Sequence, residues 1–403
     1  MTPTEAHSEG RSGLPTWAAA LLPVLALALL LSVFTFTDPL ALFKANVPPT
    51  ETLNIERVQV TDDGFQLTVF NGGPQPVDIA QVLVDDAYWN YTIEPDQRIP
   101  TLGRARLHVE YPWVAGEAHE LRLLTSSGAT FSADVELAVA APPAGLRQFL
   151  AYGLLGIYVG ILPVALGMLW FPAMRKAGRK WMGAVLALTL GLLVFLLIDT
   201  VLEALDISAD LPGVFQGQAM VLFAALLTWL LLLAVGNRQS AQQGVTLSTM
   251  IALGIGIHNL GEGLAIGAAF SLGEAALGSF LVIGFTLHNI TEGIGIAAPL
   301  LPQLREDDGA VVPPLTAFLG LALLAGAPAI AGAWIGGFAF SPVLSALFLG
   351  IGAGAIWQVI VEVWRLLRRY AEREGTPAVS WANLAGFVLG LAVMYFTAFL
   401  VAS

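Results

Sequence analysis

The chain has 403 residues, of which 56% are hydrophobic and only 12% charged, where a soluble domain carries about a quarter. A mean hydropathy of +0.74 makes it a polytopic membrane protein with a minor soluble part. The net charge of −12 argues against nucleic acid, which wants a basic face. The absence of cysteine excludes disulfides, thiolate metal sites and a Cys nucleophile.

A spanning helix takes about 20 apolar residues. The first candidate is 17–36. Its long apolar stretch, weakly charged start and lack of a small-x-small cleavage site read as an uncleaved transmembrane anchor rather than a signal peptide. From 47 to 143 the character changes. Charges return and apolar residues alternate with polar ones, as in Glu56-Arg57-Val58-Gln59-Val60 and Phe65-Gln66-Leu67-Thr68-Val69. Further alternating runs lie near 77–84, 88–93, 105–109, 120–124 and 130–137. Seven short strands separated by turn signals such as Asp63-Gly64 and Asn71-Gly72-Gly73-Pro74 predict a small all-β sandwich. His108 and His119 lie in it, but a strand histidine is more often surface than ligand. Tyr88, Trp89, Tyr91, Tyr111 and Trp113 read as sandwich core or lipid-surface contacts.

Eight further apolar spans follow within 144–403, near 147–171, 183–203, 213–235, 248–271, 277–300, 313–337, 340–364 and 381–401. The expected fold is thus an all-α polytopic bundle of eight helices, preceded by a transmembrane helix (1–46) and a β-sandwich (47–143). Lys and Arg in short loops mark the cytoplasmic side. Arg175, Lys176, Arg179 and Lys180 follow the first span, and Arg365, Arg368, Arg369 and Arg373 the seventh. Arg238 and Arg305 follow the third and fifth. The alternate loops carry Asp206, Asp210 and Glu274 and no Lys or Arg. The β-domain and C-terminus are therefore expected outside a cell (plasma or inner) membrane, with the N-terminus in the cytoplasm.

The fourth and fifth spans say nearly the same thing. Ile257-His258-Asn259-Leu260-Gly261-Glu262-Gly263 is echoed by Leu287-His288-Asn289-Ile290-Thr291-Glu292-Gly293, and Gly254 and Gly284 precede the two histidines by four. A His and a Glu at i and i+4 share one helix face. The short link 271–276 makes the two helices antiparallel neighbours, so two imidazoles and two carboxylates meet near mid-depth. That donor set suits Zn²⁺, Fe²⁺, Mn²⁺ or Cd²⁺, and Asn259 and Asn289 could add carbonyl oxygens. Ionisable groups at membrane depth are costly and mark function by default. The alternative is a set of polar contacts that glue two helices.

This duplicated His-Asn-x-x-Glu-Gly resembles the fourth and fifth helices of the ZIP (Zrt/Irt-like) divalent-metal transporters, whose bacterial members carry His-Asn-x-Pro-Glu-Gly in both. The resemblance covers about 147–403. It implies an eight-helix bundle with both ends outside and a transport site at His258, Glu262, His288 and Glu292. It also implies an adjacent second site lined by Asn259 and Asn289. Three positions depart from the family. Gly261 and Thr291 replace the two prolines, which predicts a softer helix break. Ala327 stands before Pro328 where many members have a Glu, which predicts one principal metal site. The loop 236–244 has no histidine.

Asp199 and Glu203, i and i+4 at the outer end of the second span, read as an acidic access path for cations or as a wetted helix end. Glu362 on the seventh span reads as an exit-path acid, since the family carries one there, or as a partner for Arg365 or Arg368. The expected function is import of a divalent metal by alternating access, without enzymatic activity and without a cofactor beyond the transported ion. Expected partners are divalent ions and the lipid bilayer, with a homodimer left open. The rival readings are an intramembrane metal-dependent hydrolase, which would need three protein ligands and an open position, and a metal-sensing receptor. The hydrolase lacks a His-Glu-x-x-His, and the receptor lacks a cytoplasmic output domain.

Overall fold

A computed structural model describes residues 16–37, 50–176, 179–236, 244–301 and 313–402. Arg238, Arg305 and most of the loop 236–244 lie outside the described residues. The chain divides into 1–50 and 51–403. The described part of the first unit is α1 (Thr16–Thr37), an apolar helix lined with leucine. Two hydroxyls within it, of Ser32 and Thr37, donate back to the carbonyls of Ala28 and Val33.

The second unit opens with nine strands: β1 (Leu53–Thr61), β2 (Gly64–Asn71), β3 (Val77–Val84), β4 (Ala87–Trp89), β5 (Tyr91–Glu94), β6 (Arg98–Ile99), β7 (Arg104–Glu110), β8 (His119–Thr125) and β9 (Thr130–Val135). They form two sheets, β1-β2-β7-β5 and β4-β3-β8-β9, with β6 paired to β3. Period-2 alternation puts Phe65, Leu67 and Val69 of β2 between the sheets, and an irregularity between Ile79 and Gln81 lets Ile79, Val82 and Val84 of β3 join them. The predicted run 88–93 is two strands in different sheets. Asp85 and Asp86, both at positive φ, make the tight two-residue turn that folds β4 onto β3. The chain then crosses at Asn90 to pair β5 with β7. Trp89, Tyr91, Tyr111 and Trp113 pack against the core as expected, whereas Tyr88 is exposed, because it points away from the core on the short β4 hairpin.

The remaining helices are α2 (Leu146–Gly156), α3 (Leu162–Met168), α4 (Phe171–Lys176), α5 (Arg179–Ala209), α6 (Gly217–Gly236), α7 (Val245–Ser271), α8 (Ala275–Ala297), α9 (Leu315–Gly326), α10 (Pro328–Ala339), α11 (Pro342–Arg373) and α12 (Trp381–Ala402). Among the described residues they make eight helical stretches long and apolar enough to cross a membrane, at the positions the hydropathy predicts. The first (α2–α4) is loosened by a π-helical stretch, Ile157–Ile161, ahead of Pro163. The sixth (α9–α10) is interrupted at Ala327-Pro328.

Backbone-to-backbone contact at glycine fixes the bundle. A Cβ on Gly263 of α7 would strike the Ala329 carbonyl of α10 and come within 2.9 Å of its Cα. Gly293 of α8 meets the Val164 carbonyl of α3 in the same way. Such close approach is how helices pack where lipid supplies no hydrophobic drive. Several of the packing pairs, though not all, match under one exchange of spans, first with sixth, second with seventh, third with eighth and fourth with fifth. Thus α7 on α10 corresponds to α8 on α3, α7 on α11 to α8 on α5, and α6 on α11 to α12 on α5.

The β-domain rests on the loops that lack Lys and Arg. Asn54 donates to the Asp210 carbonyl (3.3 Å), Arg57 to Ser271 Oγ (2.7 Å) and Gln59 to the Ser271 carbonyl (3.0 Å). The rings of Phe70 and Phe215 lie 5.3 Å apart.

Gly263→Leu is expected to destabilise the bundle by about 1–3 kcal/mol or prevent its assembly, since a backbone carbonyl cannot retreat as a side chain can. Gly320→Ala, with no atom within 4 Å of the added Cβ, should be tolerated. Thermal melting in detergent compares them. Asp85 gives a pH prediction for the β-domain. Partial desolvation pushes its carboxyl up, but hydrogen bonds from His119, the Glu120 N–H and Tyr111 outweigh this and hold it below its usual range. A depressed carboxyl contributes stability above its unfolded pKa and loses it as pH falls through the folded value, so the loss begins below about pH 4. Asp85→Asn should remove that acid-dependent part. Superimposable melting-versus-pH curves for parent and variant would exclude the contribution.

Candidate metal centre

The two copies of the motif sit on continuous helices. Neither α7 nor α8 breaks at Gly261 or Thr291, where the resemblance leads one to expect proline. The Thr291 hydroxyl donates to the His288 carbonyl (2.6 Å). The helices run antiparallel, and the imidazoles of His258 and His288 come to 5.9 Å between ring centres with 26° between planes.

Glu262 stands between them. Its Oε1 lies 3.5 Å from His258 Nε2 and 3.9 Å from His288 Nε2. One ligand atom each from His258, Glu262 and His288 falls within 4.8 Å of the others. Glu292 attaches to this trio through His288, with Oε1 at 3.6 Å from Nε2, and does not join it directly. All four residues are at most 7% exposed.

The two asparagines explain how the cluster is held. Asn289 donates to the Val159 carbonyl (3.0 Å) and to Glu262 Oε2 (2.9 Å). Asn259 donates to the Ala325 carbonyl (3.1 Å). Val159 lies in the π-helical stretch of the first span, and Ala325 lies just before the interruption of the sixth. Each asparagine N–H₂ thus serves a carbonyl near a helix irregularity, where the regular ladder is disturbed. Each asparagine Oδ1 is left without a hydrogen-bond partner among the described residues.

The same is true of Glu262 Oε1, both Glu292 carboxylate oxygens and His288 Nε2. Buried polar atoms are almost always hydrogen-bonded, and an unpartnered buried carboxylate oxygen is expensive. Five acceptor oxygens and an imidazole nitrogen of the two motif copies are thus buried without a hydrogen-bond partner among the described residues, a need that a cation would meet. The donor set of nitrogen and oxygen with no sulfur fits borderline divalent ions.

Thr200 of α5 escaped the sequence reading. It is fully buried, and its Oγ1 lies 3.1 Å from His258 Nδ1. That contact occupies one ring nitrogen and turns the other toward Glu262. The available signal was a lone hydroxyl between Asp199 and Glu203 in an apolar helix. Asp199 and Glu203 form no hydrogen bond or ion pair among the described residues and stand outside the cluster. Asp199 is exposed and Glu203 half-buried. Glu203 lies about one turn from Thr200 toward the helix end that meets the β-domain.

Glu362 is engaged elsewhere, accepting from Arg365 (2.6 Å) and from Gln358 (3.1 Å). In the β-domain His119 Nδ1 lies 2.8 Å from Asp85 and His108 Nε2 3.3 Å from Asp63. Neither histidine falls in a metal-ligand group among the described residues. No protein-family model matches the chain, and no curated protein matches its sequence significantly.

Removing a group that orients a metal-ligating imidazole typically weakens metal binding by about 10–100-fold. Thr200→Val is expected to weaken zinc binding by that order, and Thr200→Ser to restore it, in equilibrium titration of purified protein. Equal zinc affinity in Thr200→Val and parent would show that the contact does not orient the ring.

Proposed function

We propose that the chain is a divalent-metal transporter of the ZIP kind, moving zinc, or iron, manganese or cadmium in its place, into the cytoplasm by alternating access. The observation that carries this reading is the cluster of unpartnered carboxylate, amide and imidazole atoms where two antiparallel spans cross. Such a cluster in apolar surroundings stands at odds with simple helix glue, which would pair its own donors and acceptors. Discontinuous helices beside a mid-span site, related in matched pairs, are what alternating-access transporters use.

On this reading the metal is substrate. His258, Glu262 and His288 take it first in the conformation described, and Glu292 completes the set as α7 and α8 shift. Asp199 and Glu203 concentrate cations on the β-domain side. The Lys and Arg distribution puts that side outside the membrane. Ala327, without a carboxylate beside the cluster, supports one principal ion per chain. The trio also has the three-ligand count of a hydrolytic zinc centre, so flux is the deciding measurement.

Full-length protein in vesicles loaded with a metal-sensitive dye should respond to external Zn²⁺, Fe²⁺ or Mn²⁺. His258→Ala and Glu292→Ala should reduce the response to that of protein-free vesicles. Folded protein that carries none of the three metals would overturn the proposal. In Ala327→Glu the metal bound per chain should rise, and unchanged stoichiometry would show that more than this acid is missing.

A further inference from the structure

A second site lies away from the metal cluster, where the β-domain meets the helix ends. The cleft there has a volume of about 660 Å³. Its roof is the outward face of the β1-β2-β7-β5 sheet. Arg57 stands across from Thr68 of β2, and Thr68 across from Arg106 of β7, so the two arginines belong to one cross-strand row. A bulge between Ile55 and Arg57 breaks the alternation of β1 and lets Glu56 line the cleft beside Arg57. Arg104 completes the set.

The charges do not balance. Arg104 is neutralised by a two-point pair with Glu56 (2.8 and 3.0 Å) and lies over the Phe70 ring. Arg57 and Arg106 have no carboxylate partner among the described residues; Glu94 faces Arg106 across β5 without forming an ion pair. Arg57 donates one bond to Ser271, while its Nε is buried with no acceptor. Desolvation lowers its pKa, the mark of a cation short of a counter-charge. Two uncompensated guanidinium groups stand out on a chain of net charge −12.

The floor is of opposite character. It is made by Phe215 and by Phe338, Val343 and Leu344, where one membrane span ends at Ala339 and the next begins at Pro342. Phe338 and Leu344 are exposed. Guanidinium donors therefore sit directly above apolar side chains at the end of the hydrocarbon-spanning segments. Guanidinium matches phosphate oxygens in charge and geometry, and the floor matches acyl chain.

We propose that this cleft binds one anionic phospholipid, with its phosphate on Arg57 and Arg106 and its acyl chains along Phe338 and Leu344. The lipid would fasten the β-domain to the membrane face of the bundle. The proposal is independent of the metal cluster.

The test uses delipidated full-length protein in detergent, with its melting temperature read after adding phosphatidylglycerol, phosphatidylcholine of the same chains, or inorganic phosphate. Phosphatidylglycerol should raise the melting temperature, and the other two should not. Each of Arg57→Gln and Arg106→Gln should weaken the phosphatidylglycerol response on the order of fivefold. Leu344→Asp should weaken it too. Arg106 is exposed, so its variant keeps the test valid should Arg57→Gln fail to fold. An equal response to phosphatidylcholine, a full response to inorganic phosphate alone, or an undiminished response in Arg106→Gln would overturn the lipid assignment.

Discussion

Inside an apolar span every polar atom must find its partner within the protein, because no water is there to serve it. Much of this bundle follows from that requirement. Asn259 and Asn289 each use their N–H₂ group on a carbonyl near a helix irregularity, one before Pro328 and one before Pro163. The irregular first and sixth spans are thereby tolerated. The same two bonds hold the asparagines one position beside His258 and His288 on the helices that carry the cluster. Irregular backbone and ligand cluster are one structure, and neither is explained without the other.

Close packing makes those bonds reachable. Gly263 and Gly293, the last residues of the two motif copies, let α7 lie on α10 and α8 on α3 at backbone contact. A larger residue at either position would push the helices apart and carry the asparagine away from its carbonyl. Each motif is therefore a unit. Its His and Glu offer ligand atoms, its Asn binds the neighbouring irregular helix, and its Gly sets the distance to that helix. The duplication of the motif is matched by the pairing of the helices around it.

The two polar regions of the second unit obey different rules. The His/Glu cluster is buried among apolar spans and its polar atoms have few neighbours to choose from. The cleft beneath the β-domain stands where the spans end, and its arginines are exposed or partly buried rather than enclosed. The β-bulge that turns Glu56 toward the cleft and the glycines that draw α7 against α10 are both local departures from regular structure. Each puts charged or polar groups where an ordinary strand or helix would not.

Much of this was legible in the amino-acid sequence. Hydropathy placed the eight spans, because hydrocarbon thickness sets their length. Alternation placed most strands, because one sheet face is buried. The i, i+4 spacing put each His and Glu on one face, because helix geometry is local. The division of 88–93 into strands of two sheets was not legible, since Asn90 crosses between layers only in three dimensions. Nor was the unequal standing of the four ligands. Sequence treats His258-Glu262 and His288-Glu292 alike, whereas packing draws Glu262 to both rings and leaves Glu292 ion-paired with His288 alone among the described residues. Thr200 entered because α5 passes behind His258, and Arg57 and Arg106 came to flank Thr68 because three strands align in register. The sequence by itself determined which residues are polar, at what depth and on which face. Which of them touch was decided by helix and strand packing, because contacts between segments distant in the chain depend on backbone approach that no local pattern encodes.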